Sequence, residues 1–235
     1  RAGSITAEAA AETGLVAGTP VFGGAFDIDA CGLAAGCVDE NTLVMIGGTW
    51  GNNQYVTQEP LRARDIFMVS RYAIEDYYLV LEGSATSASN LEWFIERFMN
   101  GSTDEWGDPY EKCNRLILET KPEEDCPTFL PFVYASPINP RATGAFLGLT
   151  RHTGLSNLVR AVFEGVSFMH RWHYDRLMQY RDTPEAVTMT GGVARSDAWC
   201  QMFADVLGLP IQVPRASELG ALGAAMMAGV GLGAH

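Results

Sequence analysis

The sequence predicts an α/β domain with a mixed β-sheet and helices on both faces. Its 235 residues are 47% hydrophobic and 19% charged, which provides material for a sizeable core and excludes a disordered chain. Short apolar strands dominate the first third, whereas helices and strands alternate after it. At this length one large domain, residues 1–235, is the simplest organisation.

The first third of the chain is predicted to hold strands and one short helix. Residues 18–27 are predicted as a strand that ends in a glycine turn, and Asp27 begins a helix of small residues that ends at Gly36. Apolar segments at 43–46, 54–57, 67–72 and 77–81 are separated by polar turns, which indicates an antiparallel meander. Residues 87–99 then place apolar side chains at helical spacing.

The remainder of the chain is predicted to alternate between helix and strand. Helices are expected at 109–119, 156–181, 196–207 and 218–230, with Ser196 as the N-cap of the third. Strands are expected at 129–134, 186–190 and 211–213. Residues 136–144 contain two prolines and a glycine, which is typical of a loop.

Charge and cysteine usage limit the partners and the compartment. The chain has 28 acidic and 16 basic residues, a net charge of −12, so nucleic acid is not expected as a partner. A small phosphorylated ligand is compatible with this charge, because backbone N–H groups can hold phosphates. Five cysteines without a C-x-x-C pair indicate reduced thiols in a cytoplasmic protein, and no apolar run suits a membrane.

Three glycine turns, each after an apolar strand, are the first candidates for a binding site. They lie at residues 23–24, 47–49 and 191–192, and Thr49 and Ser196 place hydroxyl groups beside two of them. Glycine lets the backbone approach a ligand closely, and a hydroxyl adds a donor for a phosphate oxygen. Three such turns favour a nucleotide, although the sequence contains neither a P-loop nor a G-x-G-x-x-G pattern.

Asp27 has two interpretations from its position alone. A carboxylate at a strand end, against an apolar and glycine-rich segment, could serve as a general base. Aspartate is also favoured at helix N-caps, which would give Asp27 a structural role. Asp29, two residues further on, is expected to face solvent.

His170 and His173 lie three residues apart on the long predicted helix. This spacing can present two metal ligands, but the sequence offers no convergent carboxylate or thiol as a third. A packed or surface pair is therefore the expectation, and no metal-ligating protein residue is predicted.

Several blocks in a fixed order resemble the FGGY family of carbohydrate kinases. Residues 144–149 with 157–164 are similar to the second signature of that family, and 191–207 are similar to its adenosine segment and following helix. Residues 218–225 resemble its closing helix. The turns at 23–27 and 48–49 occupy the places of its catalytic aspartate and second phosphate segment, so the resemblance runs from about residue 18 to the C-terminus.

The resemblance implies the actin-like ATPase (ribonuclease H-like) fold, with ATP and sugar bound between two domains. Residues 1–235 would be the C-terminal ATP-binding domain. The N-terminal domain would be absent from this chain, which begins with Arg1, and the isolated chain would be inactive. ATP, Mg²⁺, a sugar and the protein's own N-terminal domain are the implied partners, and a homodimer is left open.

The resemblance also assigns roles to single residues. Asp27 would be the general base that takes a proton from the sugar hydroxyl. The implied nucleotide contacts are Gly48 and Thr49 at the terminal phosphates, Gly191 and Gly192 at the α-phosphate and ribose, Ser196 at the adenine edge, and Ala88 and Glu92 near the nucleotide base.

Departures within the family bear on the substrate. The residues after Asp27 are Ile28, Asp29 and Ala30, which argues against glycerol, because glycerol kinases place polar, glutamine-rich sequence there. Phe26 before Asp27, together with 86–94, is most similar to the L-xylulose (3-keto-L-gulonate) kinase branch. A non-catalytic nucleotide-binding or regulatory module on the same fold is the alternative, and an actin- or chaperone-like ATPase is a third.

Overall fold

The computed structural model describes residues 1–99, 107–122 and 126–234. Its strands are β1 (Gly3–Ser4), β2 (Pro20–Val21), β3 (Leu43–Gly47), β4 (Gly51–Thr57), β5 (Met68–Arg71), β6 (Tyr78–Ser84), β7 (Thr128–Leu130), β8 (Ala145–Leu147), β9 (Val187–Gly191) and β10 (Ile211–Gln212). Its helices are α1 (Ala7–Thr13), α2 (Asp27–Ala34), α3 (Ser89–Phe98), α4 (Pro109–Leu118), α5 (Leu155–Leu177), α6 (Asp197–Leu207) and α7 (Leu219–Gly231). The predicted α/β class is confirmed.

Six strands form the central mixed sheet in the order β10-β9-β3-β4-β6-β5. β10, β9 and β3 are parallel, whereas β4, β6 and β5 are antiparallel to their neighbours. The predicted meander is wrong in one respect, because β6 lies between β4 and β5 and pairs with both. The parallel pair β3–β9 brings the ends of these two strands together.

Two hydrophobic cores lie on opposite faces of this sheet. Along β3, Leu43 and Met45 point to one core and Val44 to the other, as the period of two in a strand requires. Helices α3, α4, α5 and α6 cover the first face, and α2 and α7 cover the second. The predicted arrangement of helices on both faces is therefore confirmed. Among the described residues, no helix is both long and apolar enough to cross a membrane.

The N-terminal strand and the strand after Cys126 are shorter than predicted. Only Pro20–Val21 of the predicted strand 18–27 is regular, and it pairs with β1 rather than with the central sheet. Strand β7 ends at Leu130 because Pro131 follows, and a proline has no N–H to donate to a ladder. The glycine turn at 23–24 therefore lies between β2 and α2 and does not follow a strand of the central sheet.

Candidate functional site

The ends of β3 and β9 place two of the three predicted glycine turns side by side. Gly47 and Gly191 are direct neighbours in the parallel register. Gly191 has φ +82°, and a Cβ built on it would lie 2.8 Å from the carbonyl oxygen of Gly47. A side chain at this position would need both a strained backbone and more space, so glycine is required here. The two turns together form an edge where bare backbone faces a cavity.

The start of α3 holds the first of these turns in place. The backbone N–H of Ala88 donates to the carbonyl oxygen of Gly48 at 2.9 Å, and the Ser89 hydroxyl donates to the carbonyl oxygen of Thr49 at 2.9 Å. The side chain of Thr49 is exposed beside them. These two hydrogen bonds hold the turn in place, and the exposed Thr49 lines the cavity at this edge.

A cavity of about 530 Å³ opens at this edge, within the range of roughly 300–1,000 Å³ that holds small-molecule ligands. Six of the seven predicted nucleotide contacts line it, and the seventh, Gly191, directly precedes the lining residue Gly192 in the chain. The lining residues are Gly48, Thr49, Ala88, Ser89, Leu91, Glu92, Asp108, Tyr110, Glu111, Asn114, Phe163, Gly192, Arg195, Ser196 and Trp199. The structure thus brings together residues that lie up to 151 positions apart in the sequence (48 to 199).

Asp27 lies outside this lining, at the first position of α2. Phe26 is the N-cap of the helix, in extended backbone, so Asp27 does not take the capping role that its position allowed. Its carboxylate accepts a hydrogen bond from the N–H of Ile28 at 2.9 Å, and the residue is exposed. The side chain is therefore accessible to a reactant.

The expectation that Asp29 faces solvent is wrong. The residue is only 6% exposed, on the side of α2 that also carries Ala30 and Leu33, and Oδ1 has no hydrogen-bond partner among the described residues. Burial, and to a lesser extent the charge of Asp27, raises the pKa of the Asp29 carboxyl to about 6. A carboxylate in this position is costly to ionise.

Asp29 should therefore weaken the fold as the pH rises. The carboxyl of the unfolded chain has its ordinary pKa of 3.8 and that of the folded chain a pKa of about 6, so the free energy of unfolding falls as the pH rises between these two values. We expect Asp29→Asn to gain about 1–2 kcal/mol more unfolding free energy at pH 7.5 than at pH 4.5. Urea denaturation of the full-length protein at both pH values measures this. The exposed Asp182→Asn is the control, and an equal gain at both pH values would contradict the assignment.

Ser196 caps α6, as predicted, and its hydroxyl is already engaged. The hydroxyl oxygen accepts from the N–H of Trp199 at 3.1 Å, and the hydroxyl donates to Oδ1 of Asn114 at 2.6 Å. The residue is 7% exposed. A nucleotide base at this end of the cavity would therefore meet Asn114 as well as Ser196.

His170 and His173 form a buried pair on α5. Both are about 1% exposed, and burial, with a smaller contribution from His173, lowers the pKa of His170 to about 3. The four ring nitrogens are all bonded to protein: His170 to Asn53 Oδ1 (2.8 Å) and Ser87 Oγ (3.0 Å), His173 to Glu82 Oε2 (2.9 Å) and Ser84 Oγ (2.8 Å). These nitrogens are occupied, and the pair joins β4 and β6 to the segment before Ala88.

Sequence reasoning missed the contribution of α4. Asp108 caps this helix by accepting from the N–H of Tyr110, with Pro109 at its first turn. Glu111 and Asn114, three residues apart on one face, both line the cavity. The Asp-Pro start signal was visible, but only the packing of α4 against α5 and α6 brings this face to the site.

Comparison with known proteins places the chain in a family. The family model for the C-terminal domain of FGGY carbohydrate kinases matches residues 43–232. The L-xylulose/3-keto-L-gulonate kinase of Escherichia coli is 38% identical over 99% of this chain and 46% of that protein. A probable L-xylulose kinase of Haemophilus influenzae is 35% identical over 97% of this chain and 46% of that protein. The chain spans about half the length of the curated relatives it matches.

Solved structures share the fold. A xylulose kinase from Rhodospirillum rubrum has a TM-score of 0.83 at 28% identity, over 97% of this chain and 46% of that chain. A ligand-bound xylulose kinase from Lactobacillus acidophilus has a TM-score of 0.85 at 23% identity, over the same fractions, and shows the fold alone. The predicted actin-like ATPase fold is confirmed.

Proposed function

We propose, since the chain belongs to the FGGY family of carbohydrate kinases, that the full-length protein transfers the γ-phosphoryl group of ATP to a sugar hydroxyl. The observation that carries this proposal is the cavity where the paired glycine turns meet α3, α4 and α6. Bare backbone at one part of the cavity suits phosphates, and apolar and aromatic side chains at another suit a base. Residues 1–235 would be the C-terminal, ATP-binding part of this enzyme.

Asp27 is proposed as the general base. Its carboxylate takes the proton of the sugar hydroxyl while that oxygen forms a bond to the γ-phosphorus. The bond between the γ-phosphorus and the β,γ-bridging oxygen breaks, and ADP leaves with the electron pair of that bond. The exposed side chain at the start of α2 supports this role, because a carboxylate that faces solvent is accessible to a reactant.

The proposed phosphate and ribose contacts lie at the two glycine turns that end β3 and β9. Gly48 and Thr49 would hold the terminal phosphates, and Gly191 and Gly192 would approach the α-phosphate and ribose. Support comes from the anchored turn at Gly48 and the positive φ of Gly191. Ala88 and Glu92 would lie against the nucleotide, and both line the cavity.

The chain's residues fit Mg²⁺ as an ion that arrives with the nucleotide. Among the described residues, no group of three or more His, Cys, Asp or Glu side chains could hold a metal. The phosphates and water would therefore supply most of the ligands, which is the usual mode for Mg²⁺ in phosphoryl transfer. The ion would supply charge neutralisation on the phosphates.

The substrate class rests on the named relatives and on the segment around Asp27. Both relatives described above carry L-xylulose in their names, and one also carries 3-keto-L-gulonate. We therefore propose a ketose or a keto-sugar acid as the acceptor, and the other half of the protein as the partner that completes the sugar site. A cytoplasmic location is part of the same proposal.

A coupled ADP-release screen of the full-length protein tests the function. Pentuloses, polyols and keto-sugar acids are compared at fixed Mg·ATP, and we expect a pentulose or keto-sugar acid to give the highest kcat/KM and glycerol a low one. The isolated chain 1–235 should show no turnover above its Asp27→Asn variant. ADP binding without sugar-dependent ADP release across the panel would contradict the kinase and favour the non-catalytic nucleotide-binding module.

A further inference from the structure

The Ser196 hydroxyl fixes the orientation of the Asn114 side chain. A serine hydroxyl has one proton and two lone pairs, and here one lone pair takes the N–H of Trp199. Its proton goes to Oδ1 of Asn114 at 2.6 Å. Because Ser196 is 93% buried and caps α6, it does not turn freely to another partner. The amide oxygen of Asn114 is thereby held toward α6.

The amide nitrogen of Asn114 is left for the cavity. Nδ2 has no hydrogen-bond partner among the residues that the structure describes, and Asn114 lines the cavity. The aromatic residues that line the same cavity are Tyr110, Phe163 and Trp199. This is where the flat, apolar part of a nucleotide, its base, would lie. A fixed N–H donor in such a place can read the edge of that base.

Glu111 adds an acceptor on the same face of α4. It lies one helical turn before Asn114, and both line the cavity. Glu92 of α3 and Asp108 at the start of α4 line it too, so this end of the cavity is rich in carboxylates. A purine with an amino group at position 6 can donate to a carboxylate, whereas a carbonyl oxygen at that position is repelled by it.

We propose that Asn114 and Glu111 form the base-reading pair of this protein, which selects adenine over guanine. Nδ2 of Asn114 donates to a ring nitrogen of the purine, and the Glu111 carboxylate accepts from the 6-amino group. Ser196 acts as a positioning residue that holds the amide in this orientation. The inference rests on the proposed nucleotide cavity and names the chemistry by which the cavity recognises its base.

Calorimetric titration of the full-length protein with ADP and its analogues tests the Asn114 contact without any need for turnover. The 1-, 3- and 7-deaza analogues of ADP each replace one ring nitrogen with a C–H group. We expect one of the three to bind the wild type about tenfold more weakly than ADP, as one lost hydrogen bond implies. Asn114→Ala should bind ADP about tenfold more weakly and no longer distinguish that analogue from ADP.

Purine riboside diphosphate, which lacks the 6-amino group, tests Glu111. Glu111→Ala should weaken ADP binding several-fold and leave the binding of purine riboside diphosphate unchanged. Glu119→Ala, at the end of the same helix and outside the cavity, is the matched control and should change neither. The wild type should bind GDP at least about tenfold more weakly than ADP.

Three results would overturn the base-reading pair. The first is no measurable binding of ADP, and the second is that all three deaza analogues bind the wild type within twofold of ADP. The third is that Asn114→Ala still distinguishes the weakly binding deaza analogue from ADP. Asn114→Ser replaces the alanine variant if the latter does not fold, and the wild-type series needs no variant at all. A protein that shows the expected binding pattern but phosphorylates no sugar would contradict the proposed kinase and leave the base-reading pair intact.

Discussion

Replacement of Asp27 by asparagine should lower kcat for sugar phosphorylation by about 10²–10⁴-fold in the full-length protein. Asparagine cannot take up the proton of the sugar hydroxyl, which is the role proposed for the carboxylate. The change is otherwise mild, since the amide oxygen can still accept the hydrogen bond from the N–H of Ile28. Because Asp27 lies outside the cavity lining, ADP affinity should stay within about twofold, which titration calorimetry can measure.

Asp197→Asn is the matched control for this variant. Asp197 is likewise an exposed aspartate at the first position of a helix, so its replacement reports the effect of removing such a charge. Steady-state kinetics with the best sugar of the screen should separate the two variants by at least about 100-fold in kcat. A loss of less than tenfold for Asp27→Asn would show that another group carries the proton.

Much of the fold could be predicted because its elements carry strong local patterns. Strand β3 is a continuous apolar run, as expected for a strand buried on both faces, and the long helix around Val162 and Val166 repeats its apolar residues at helical spacing. The glycines at 47 and 191 marked the strand ends, and the parallel register placed them together. These signals are properties of single segments.

The wrong or missing predictions concern residues whose burial or orientation depends on packing between segments that are distant in the sequence. Asp29 was expected in solvent because it follows Asp27 by two residues, yet helical geometry puts it with Ala30 and Leu33 on the buried side of α2. The role of Asn114 could not be predicted either, because its orientation depends on Ser196, a residue 82 positions away that reaches it only through the packing of α6. No local pattern encodes such a contact.

Gly223→Ala is expected to be the most destabilising single-methyl change on α7. A Cβ at Gly223 would overlap the backbone of Ala30 in α2, its carbonyl oxygen included. Backbone atoms cannot rotate away as a side chain can, so α2 and α7 would have to separate. We expect the free energy of unfolding to fall by about 3 kcal/mol, measured by urea denaturation.

Gly220→Ala is the control on the same helix. A Cβ at Gly220 would meet Sγ of Cys31 at 3.5 Å, which is ordinary van der Waals contact, and alanine favours a helix more than glycine does. The free energy of unfolding of this variant should be unchanged or higher by up to about 1 kcal/mol. Equal losses in the two variants would mean that close approach of α2 and α7 is not what Gly223 provides.

Gly223→Ala also tests whether Asp27 and the nucleotide cavity can be perturbed separately. Helix α2 carries Asp27 on one face of the sheet, whereas the cavity lies at the strand ends among α3, α4 and α6 on the other. A shift of α2 caused by Gly223→Ala should therefore lower kcat while ADP affinity is retained, measured well below the denaturation midpoint. If ADP affinity fell in step with kcat, the loss would be one of folding, because only a general loosening of the domain reaches both faces.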